Sequence, residues 1–473
     1  MPPDLTRRNL LLAAASAPVL AQVLAGCAAR PTSPPLTSAP PIVFMHGNGD
    51  TAGLWLTTLW RFESNGWPRA RLHAVDMPYP LSRDDDAKPQ EGRSSTLENM
   101  QFLAAEVDRV LRATGAARVV LVANSRGGYA VRNYIQHGGG AATVSHAVLC
   151  GTPNHGVWAD ANNRPGSEFN GAGAFLQMLN APKGANGHEV TPGVQWLTIR
   201  SDNNDKFAQP DGVWIGAKGT PTHVGFDGPA LKGAQDVVIH GVDHRETAFG
   251  PPAFDAMHRF ITGRAPAVAG ITGITAEAGV VLDGKVSGYG VGNESGTAAG
   301  TAPSNLPLAG AVVEVFETDP QTGVRRGGAV HRKVVGAEGS WGPFKTSAQA
   351  THELVISAAG YATTHLYRSP FARSSNIVNL RAERLLDADK AAAAVVTLTR
   401  PRGYFGVPRD RIVLDGQSPP AGIPPGTAGV SVAKLKLTDA PGRSVVGEFN
   451  AERIAGIAWP AADNAVTLLE LTY

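Results

Sequence analysis

Between residue 41 and about residue 264 the chain alternates short apolar runs with stretches of helical period. Runs at 41–45, 117–124 and 144–150, and others opening at Gln195 and Val237, predict strands. The segments between them predict helices, which is the α/β signature. The clearest helix is predicted over 95–114. Ser95-x-x-Glu98 forms a capping box, Leu97, Met100, Leu103, Val107, Val110 and Leu111 share one face, and Gly115 stops it. A second helix runs from 126 to about 136 and halts at Gly138-Gly-Gly140. A third is predicted over 252–261, where Phe254, Met257, Phe260 and Ile261 recur at helical spacing. The stretch 155–190 is rich in Gly and Asn and carries one apolar patch, Phe175, Leu176, Met178 and Leu179, which either packs on the core or borders a binding pocket.

Beyond Arg264-Ala-Pro266 the texture becomes strands and turns. A strand over 308–318 ends at the turn Asp319-Pro-Gln-Thr-Gly323, 353–357 and 430–438 alternate or nearly so, and Thr467, Leu469, Leu471 and Tyr473 share a strand face. The predicted organisation is an α/β domain over 41–264 with a mostly parallel sheet and flanking helices, then an all-β sandwich or barrel. That β part reads as one unit over 267–385 and a second over 386–473, or as one continuous domain. At 473 residues, with 55 glycines and 35 prolines, the chain is long enough for two or three domains and rich in turns.

A formal net charge of +2 with 17% charged residues gives no basic field for nucleic acid, and no phosphate loop or dinucleotide fingerprint appears. His331, His352 and His365 have no metal-ligand spacing, so neither a metal nor another cofactor is expected. The first 27 residues read as an address. Thr6-Arg7-Arg8 precedes a Leu/Ala run and resembles a twin-arginine export signal, and Leu24-Ala25-Gly26-Cys27 resembles a bacterial lipobox. Acylation of Cys27 would anchor the mature chain by lipid to a membrane of the cell envelope, with the outer membrane favoured by Ala28. The alternative is plain secretion. Residues 28–40 form a Pro/Ser/Thr tether. With Cys27 modified, only Cys150 remains and no disulfide can form.

The chemistry gathers around Ser125. Val120-Leu-Val-Ala-Asn-Ser-Arg-Gly-Gly128 is an apolar strand ending on a serine between Ala123 and Gly127, the small residues that a nucleophile elbow requires. Upstream, Pro41-Ile-Val-Phe-Met-His-Gly-Asn-Gly-Asp50 is a strand running into a glycine-rich loop. Its Asn48 N–H, with the Arg126 N–H, would form an oxyanion hole. Downstream, Val237-Val-Ile-His-Gly-Val-Asp-His-Arg-Glu246 offers His244 as general base, with His240 at the strand end as the competing, loop-propping histidine. Between serine and base, the turn after the 195 strand offers two acids, Asp202 and Asp205.

Together with Gly151-Thr-Pro-Asn-His-Gly156 and Ser201-Asp-Asn-Asn-Asp-x4-Pro210, these blocks resemble bacterial lipases, most of all the small lidless kind whose elbow begins with Ala. The resemblance selects Asp205, five residues before Pro210, with Asp202 in reserve, and selects His244 from the His-Gly-Val-x-His block. A longer likeness, including Tyr367-Arg-Ser-Pro-Phe-Ala-Arg373, is to the archaeal long-chain lipases with a C-terminal β domain. Those enzymes draw their acid from the strand after the elbow helix, where this chain has Cys150-Gly151, so the acid is pushed on to Asp205. The resemblance implies an α/β-hydrolase fold, a lipid or ester substrate, and a lipid-binding β half. The rivals are a polyhydroxyalkanoate-type polyester depolymerase and a non-catalytic surface-binding lipoprotein.

Overall fold

The computed structural model describes residues 39–270, 273–289 and 303–473. The export and lipidation signals, Cys27 included, and all but the last two residues of the tether lie outside the described residues.

Six strands form an all-parallel sheet: β1 (Ile42–Met45), β2 (Leu72–Val75), β3 (Val119–Asn124), β4 (Val144–Cys150), β5 (Gln195–Ser201) and β6 (Gln235–Ile239), in the spatial order β2-β1-β3-β4-β5-β6. The apolar pattern misses β2, where His73 interrupts the run. Around the sheet lie helices α1 (Leu56–Ser64), α2 (Thr96–Thr114), α3 (Arg126–His137), α4 (Ala174–Asn180) and α5 (Pro251–Thr262). Parallel strands need crossover connections that cover both faces, so β3 is buried along its whole length. Val43, Met45, Leu121 and Ala123 pack toward α2 and α3 on one face, while Ile42, Phe44, Val120 and Val122 join α1 and α5 on the other. There the Phe62 ring meets Phe44 at 5.9 Å and Phe254 at 5.0 Å.

Helix α2 starts with both bonds of its capping box, Glu98 N–H to Ser95 Oγ at 3.2 Å and Ser95 N–H to Glu98 Oε2 at 2.7 Å, and ends at left-handed Gly115. Leu97 departs from the expected face and is 54% exposed. Asp86 binds both the N–H and the hydroxyl of Thr96, so a polar loop contact sets the orientation of this first turn.

The β region is built on a seven-stranded sheet. Its strands, in chain order after β7 (Val280–Leu282) and β8 (Val286–Gly288), are β9 (Val312–Thr318), β10 (His331–Val334), β12 (Thr351–Ser357), β13 (Thr363–Arg368), β15 (Ala394–Thr399), β17 (Val432–Leu437) and β20 (Ala465–Glu470). Their spatial order is β10-β9-β12-β13-β20-β15-β17, with β20 parallel to both neighbours. The sheet therefore takes strands from both sides of residue 385. One face, with Tyr367, Leu398 and Leu469, is covered by a three-stranded sheet of β16 (Ile412–Leu414), β18 (Ser444–Phe449) and β19 (Glu452–Ile457). The other face, with Val313, Leu354 and Leu468, joins two ladders, β7 with β11 (Phe344–Thr346) and β8 with β14 (Leu380–Ala382). This last core is continuous with that of α1 and α5, so the two regions share buried apolar surface. Trp60 marks the junction: its ring packs edge-on to Phe371 at 6.4 Å and its Nε1 donates to Ser374 O at 3.3 Å.

Candidate active site

Strand β3 ends at Asn124 and α3 begins at Arg126, leaving Ser125 as the whole turn, with φ 51° and ψ −122°. A non-glycine residue in that region is strained and persists only where the surroundings enforce it. Here they do. A Cβ on Gly127 would meet His46 O at 2.6 Å and Met45 O at 2.7 Å, so the elbow closes against the end of β1 only because residue 127 is glycine. The approach is mutual, since a Cβ on Gly47 would meet the Ser125 Cβ at 3.0 Å.

The glycine loop after β1 is held from three sides. His46 Nδ1 donates to Gly47 O at 2.9 Å while its Nε2 accepts the Met77 N–H at 3.0 Å, which demands the neutral ring. Burial lowers the His46 pKa in keeping with this, against the opposing pull of Asp76. Asn48 Oδ1 accepts the Ser82 N–H at 2.8 Å. Among the described residues, no backbone hydrogen bond uses the N–H of Asn48, and the Arg126 N–H opens α3, where no intrahelical acceptor exists.

Of the two candidate bases, His244 is buried and His240 is exposed. His244 Nδ1 lies 2.8 and 2.9 Å from the two oxygens of Asp205, also buried. Asp205 is fixed in turn by accepting the Phe207 N–H at 2.9 Å, and the Phe207 ring meets the imidazole edge-to-face at 4.7 Å. Asp202 takes the other histidine, with His240 Nδ1 at 3.1 Å and the Gly241 N–H at 3.1 Å. The turn thus carries two His–Asp pairs, one inside and one in solvent. His244 Nε2 is buried with no hydrogen-bond partner. Gly151 stands beside it: an added Cβ would lie 3.3 Å from His244 Nδ1 but only 2.8 Å from Thr247 Oγ1. The end of β4 therefore reaches the imidazole with no room for a carboxylate, and the carboxylate paired with His244 stands after the end of β5.

Ser125 and His244 line the same cavity of about 290 Å³, with Asn48, Trp158, Phe169, Phe207, Trp214 and Tyr404 among its walls. The apolar patch on α4 does not reach it; Leu176 and Leu179 pack with Tyr129 of α3 instead. Beneath the elbow the Arg126 guanidinium binds Glu168 through Nε–Oε1 at 2.6 Å and Nη2–Oε2 at 2.8 Å, both side chains 1% exposed. Arg126 also donates to Pro80 O and Ser94 O, tying loops on both sides of the cavity to the turn.

Residues 40–173 match the model of the alpha/beta hydrolase fold, and residues 278–385 match that of the lipase C-terminal domain. The chain has an α/β-hydrolase fold, and the strand-rich region after it is similar over 278–385 to a lipase C-terminal domain. Among solved structures, the mature form of Bacillus licheniformis lipase BlEst2 is 19% identical, with 50% of this chain and 96% of that one covered at a TM-score of 0.35. Its propeptide form is 14% identical over 90% and 94% at 0.36, and Aspergillus fumigatus lipase B is 13% identical over 49% and 54% at 0.33.

The lipase C-terminal domain match stops at 385, yet the chain beyond it reaches the hydrolase domain's site. Arg400 and Arg409 grip Asp243 and Glu246, the acids flanking His244. The Tyr404 ring, a cavity wall, lies 4.7 Å from the Arg245 guanidinium, which pairs with Asp50 of the glycine loop at 2.6 Å. The Ala428 N–H donates to Asn204 Oδ1 at 2.9 Å, and Lys206 Nζ to Gly429 O at 2.8 Å, on either side of Asp205. Sequence reasoning overlooks all of these. The one signal is the density of arginines at 400, 402, 409 and 411, which reads equally well as a solvated run. Among the described residues, no group of three or more His, Cys, Asp or Glu could hold a metal ion.

Proposed function

We propose that the chain is a serine hydrolase of carboxylic esters, of lipase or esterase type, acting through Ser125, His244 and Asp205 and an acyl-enzyme. The observation that carries this is a buried His244–Asp205 pair with an unpartnered Nε2, on a histidine that lines the same cavity as the elbow serine. Ser125 Oγ bonds to the ester carbonyl carbon as its proton passes to His244 Nε2. The carbonyl oxygen becomes an oxyanion held by the N–H groups of Asn48 and Arg126, a contact of about 3 kcal/mol per donor in comparable sites. When the carbon–alkoxide bond breaks, the imidazolium gives its proton to the departing alcohol. Water then repeats the cycle on the acyl-enzyme and releases the carboxylic acid. Asp205 keeps Nδ1 protonated and balances the imidazolium charge. At about 290 Å³, with five aromatic rings in its wall, the cavity supports short or compact acyl groups before long chains.

The test is a p-nitrophenyl ester series with a fluorophosphonate probe. Wild type is expected to label and turn over, and Ser125→Ala to do neither. Asp205→Asn should lose roughly 10³–10⁴ in kcat, while Asp202→Asn stays within about twofold, as fits surface changes away from the chemistry. Unlabelled wild type, or a larger loss from Asp202→Asn, overturns the assignment.

A further inference from the structure

The loop that carries His244 is not held by the hydrolase domain alone. Asp243 is fully buried. Its Oδ1 accepts the N–H groups of Arg245 at 2.8 Å and Glu246 at 2.9 Å, and its Oδ2 accepts Arg400 Nη1 at 2.7 Å and the Tyr404 N–H at 2.8 Å. Glu246 completes the arrangement. Its Oε1 takes Arg400 Nη2 at 2.6 Å, and its Oε2 takes Arg409 Nη1 at 2.7 Å and the Asp243 N–H at 2.6 Å. Two carboxylates from the base loop thus meet two guanidiniums from beyond β15, with His244 between the acids in sequence. The planar Arg400 fork places one Nη on each carboxylate and so fixes the two acids relative to one another, which a single ammonium would not do in the same geometry. Arg400 is itself oriented by donating to Tyr404 O at 2.7 Å. So one short span of the β region sets the base loop through Arg400 and Arg409 and lines the cavity through Tyr404.

We propose that Arg400 and Arg409 are positioning residues for His244, and that the β region is a working part of the ester-cleaving centre rather than only an appended substrate-binding module. The inference rests on the assignment of Ser125 and His244 above. A module that merely gathers lipid would leave the turnover of a small soluble ester untouched. A clamp on the base loop would lower kcat whatever the substrate, because displacing a catalytic group by about 1 Å can cost 10²-fold.

The experiment uses the full chain with p-nitrophenyl acetate, an ester that needs no lipid surface. Arg400→Lys and Arg409→Gln are compared with wild type for kcat and KM separately, with melting curves to establish folding. The expected result is a roughly 10- to 100-fold fall in kcat with KM within about threefold. Arg400→Lys keeps the positive charge and Arg409→Gln removes it, so a fall in kcat shared by both reads the placement of His244 and not the local charge. If Arg400→Lys does not fold, Arg409→Gln, whose side chain is partly exposed, decides alone. A folded Arg409→Gln with wild-type kcat overturns the clamp. Failure of the Ser125 assignment would look different: the wild type itself would not label with fluorophosphonate.

Discussion

Replacing Glu168 by Gln removes one charge from a pair that water does not reach. Burial pushes the Glu168 carboxyl above its usual range while Arg126 pulls it down, so the intact pair contributes little net stability. Breaking it is another matter. The Arg126 guanidinium keeps its bonds to Pro80 O and Ser94 but loses its counter-charge at 1% exposure, a situation that costs about 3–5 kcal/mol. With an unfolding entropy of about 2.1 cal/mol/K per residue, and with both regions melting together through their shared core, Tm should fall by roughly 3–6 °C. Scanning calorimetry at pH 7 reads this directly. The double variant Arg126→Met/Glu168→Met should recover part of the loss, since apolar replacement of a buried pair is often neutral. Turnover of p-nitrophenyl acetate should fall with Glu168→Gln, because the Arg126 N–H is a proposed oxyanion donor on the same residue. A Tm within about 1 °C of wild type would refute the reasoning; it would mean that the guanidinium is solvated or that the loop over 157–170 relaxes freely.

Two further outcomes follow from the loops around the serine. Gly127→Ala pushes a methyl against two backbone carbonyls of the β1 end, so a loss of about 1–3 kcal/mol in urea unfolding is expected, with at least a tenfold fall in kcat; a variant with wild-type values would show the elbow to be looser than described. His46 must stay neutral to accept the Met77 N–H. Above pH 6.5 neither folded nor unfolded ring binds a proton; below it the unfolded chain takes one up first, and stability falls as the pH drops toward the lowered folded pKa, by at most about 1.4 kcal/mol per unit. Urea midpoints between pH 7.5 and 5, compared with those of His46→Gln, isolate this slope, and equal slopes would remove His46 as its source.

The elbow was legible because its constraints are local. A serine that forms the whole turn between strand and helix needs Ala123 and Gly127 beside it, whatever lies elsewhere. The capping box of α2 was legible for the same reason. From the residues alone Asp202 and Asp205 were legible only as a pair, because a polar turn with two acids does not encode which one faces inward; the choice of Asp205 came from the lipase resemblance. The fold separates them: Asp205 turns in to His244 while capping the Phe207 N–H, and Asp202 turns out to Gly241 and His240, partners almost 40 residues away in the chain. Arg400, Tyr404 and Arg409 were not legible at all. They meet the Asp243–Glu246 loop across some 155 residues of chain, and no periodicity connects the two segments.

Strand β20 carries a consequence for how the molecule is made. It lies between β13 and β15 and pairs with both, yet it follows every other strand of its sheet in the chain. Until residues 465–470 leave the ribosome, the sheet exists as two unjoined pieces, each with an open hydrogen-bonding edge facing the gap. Such edges are templates for wrong partners, and non-local pairings of this kind close slowly. Synthesis halted short of residue 465 would therefore leave two adhesive half-sheets, and with β15 unseated, Arg400 at its end would have no fixed place from which to reach the His244 loop.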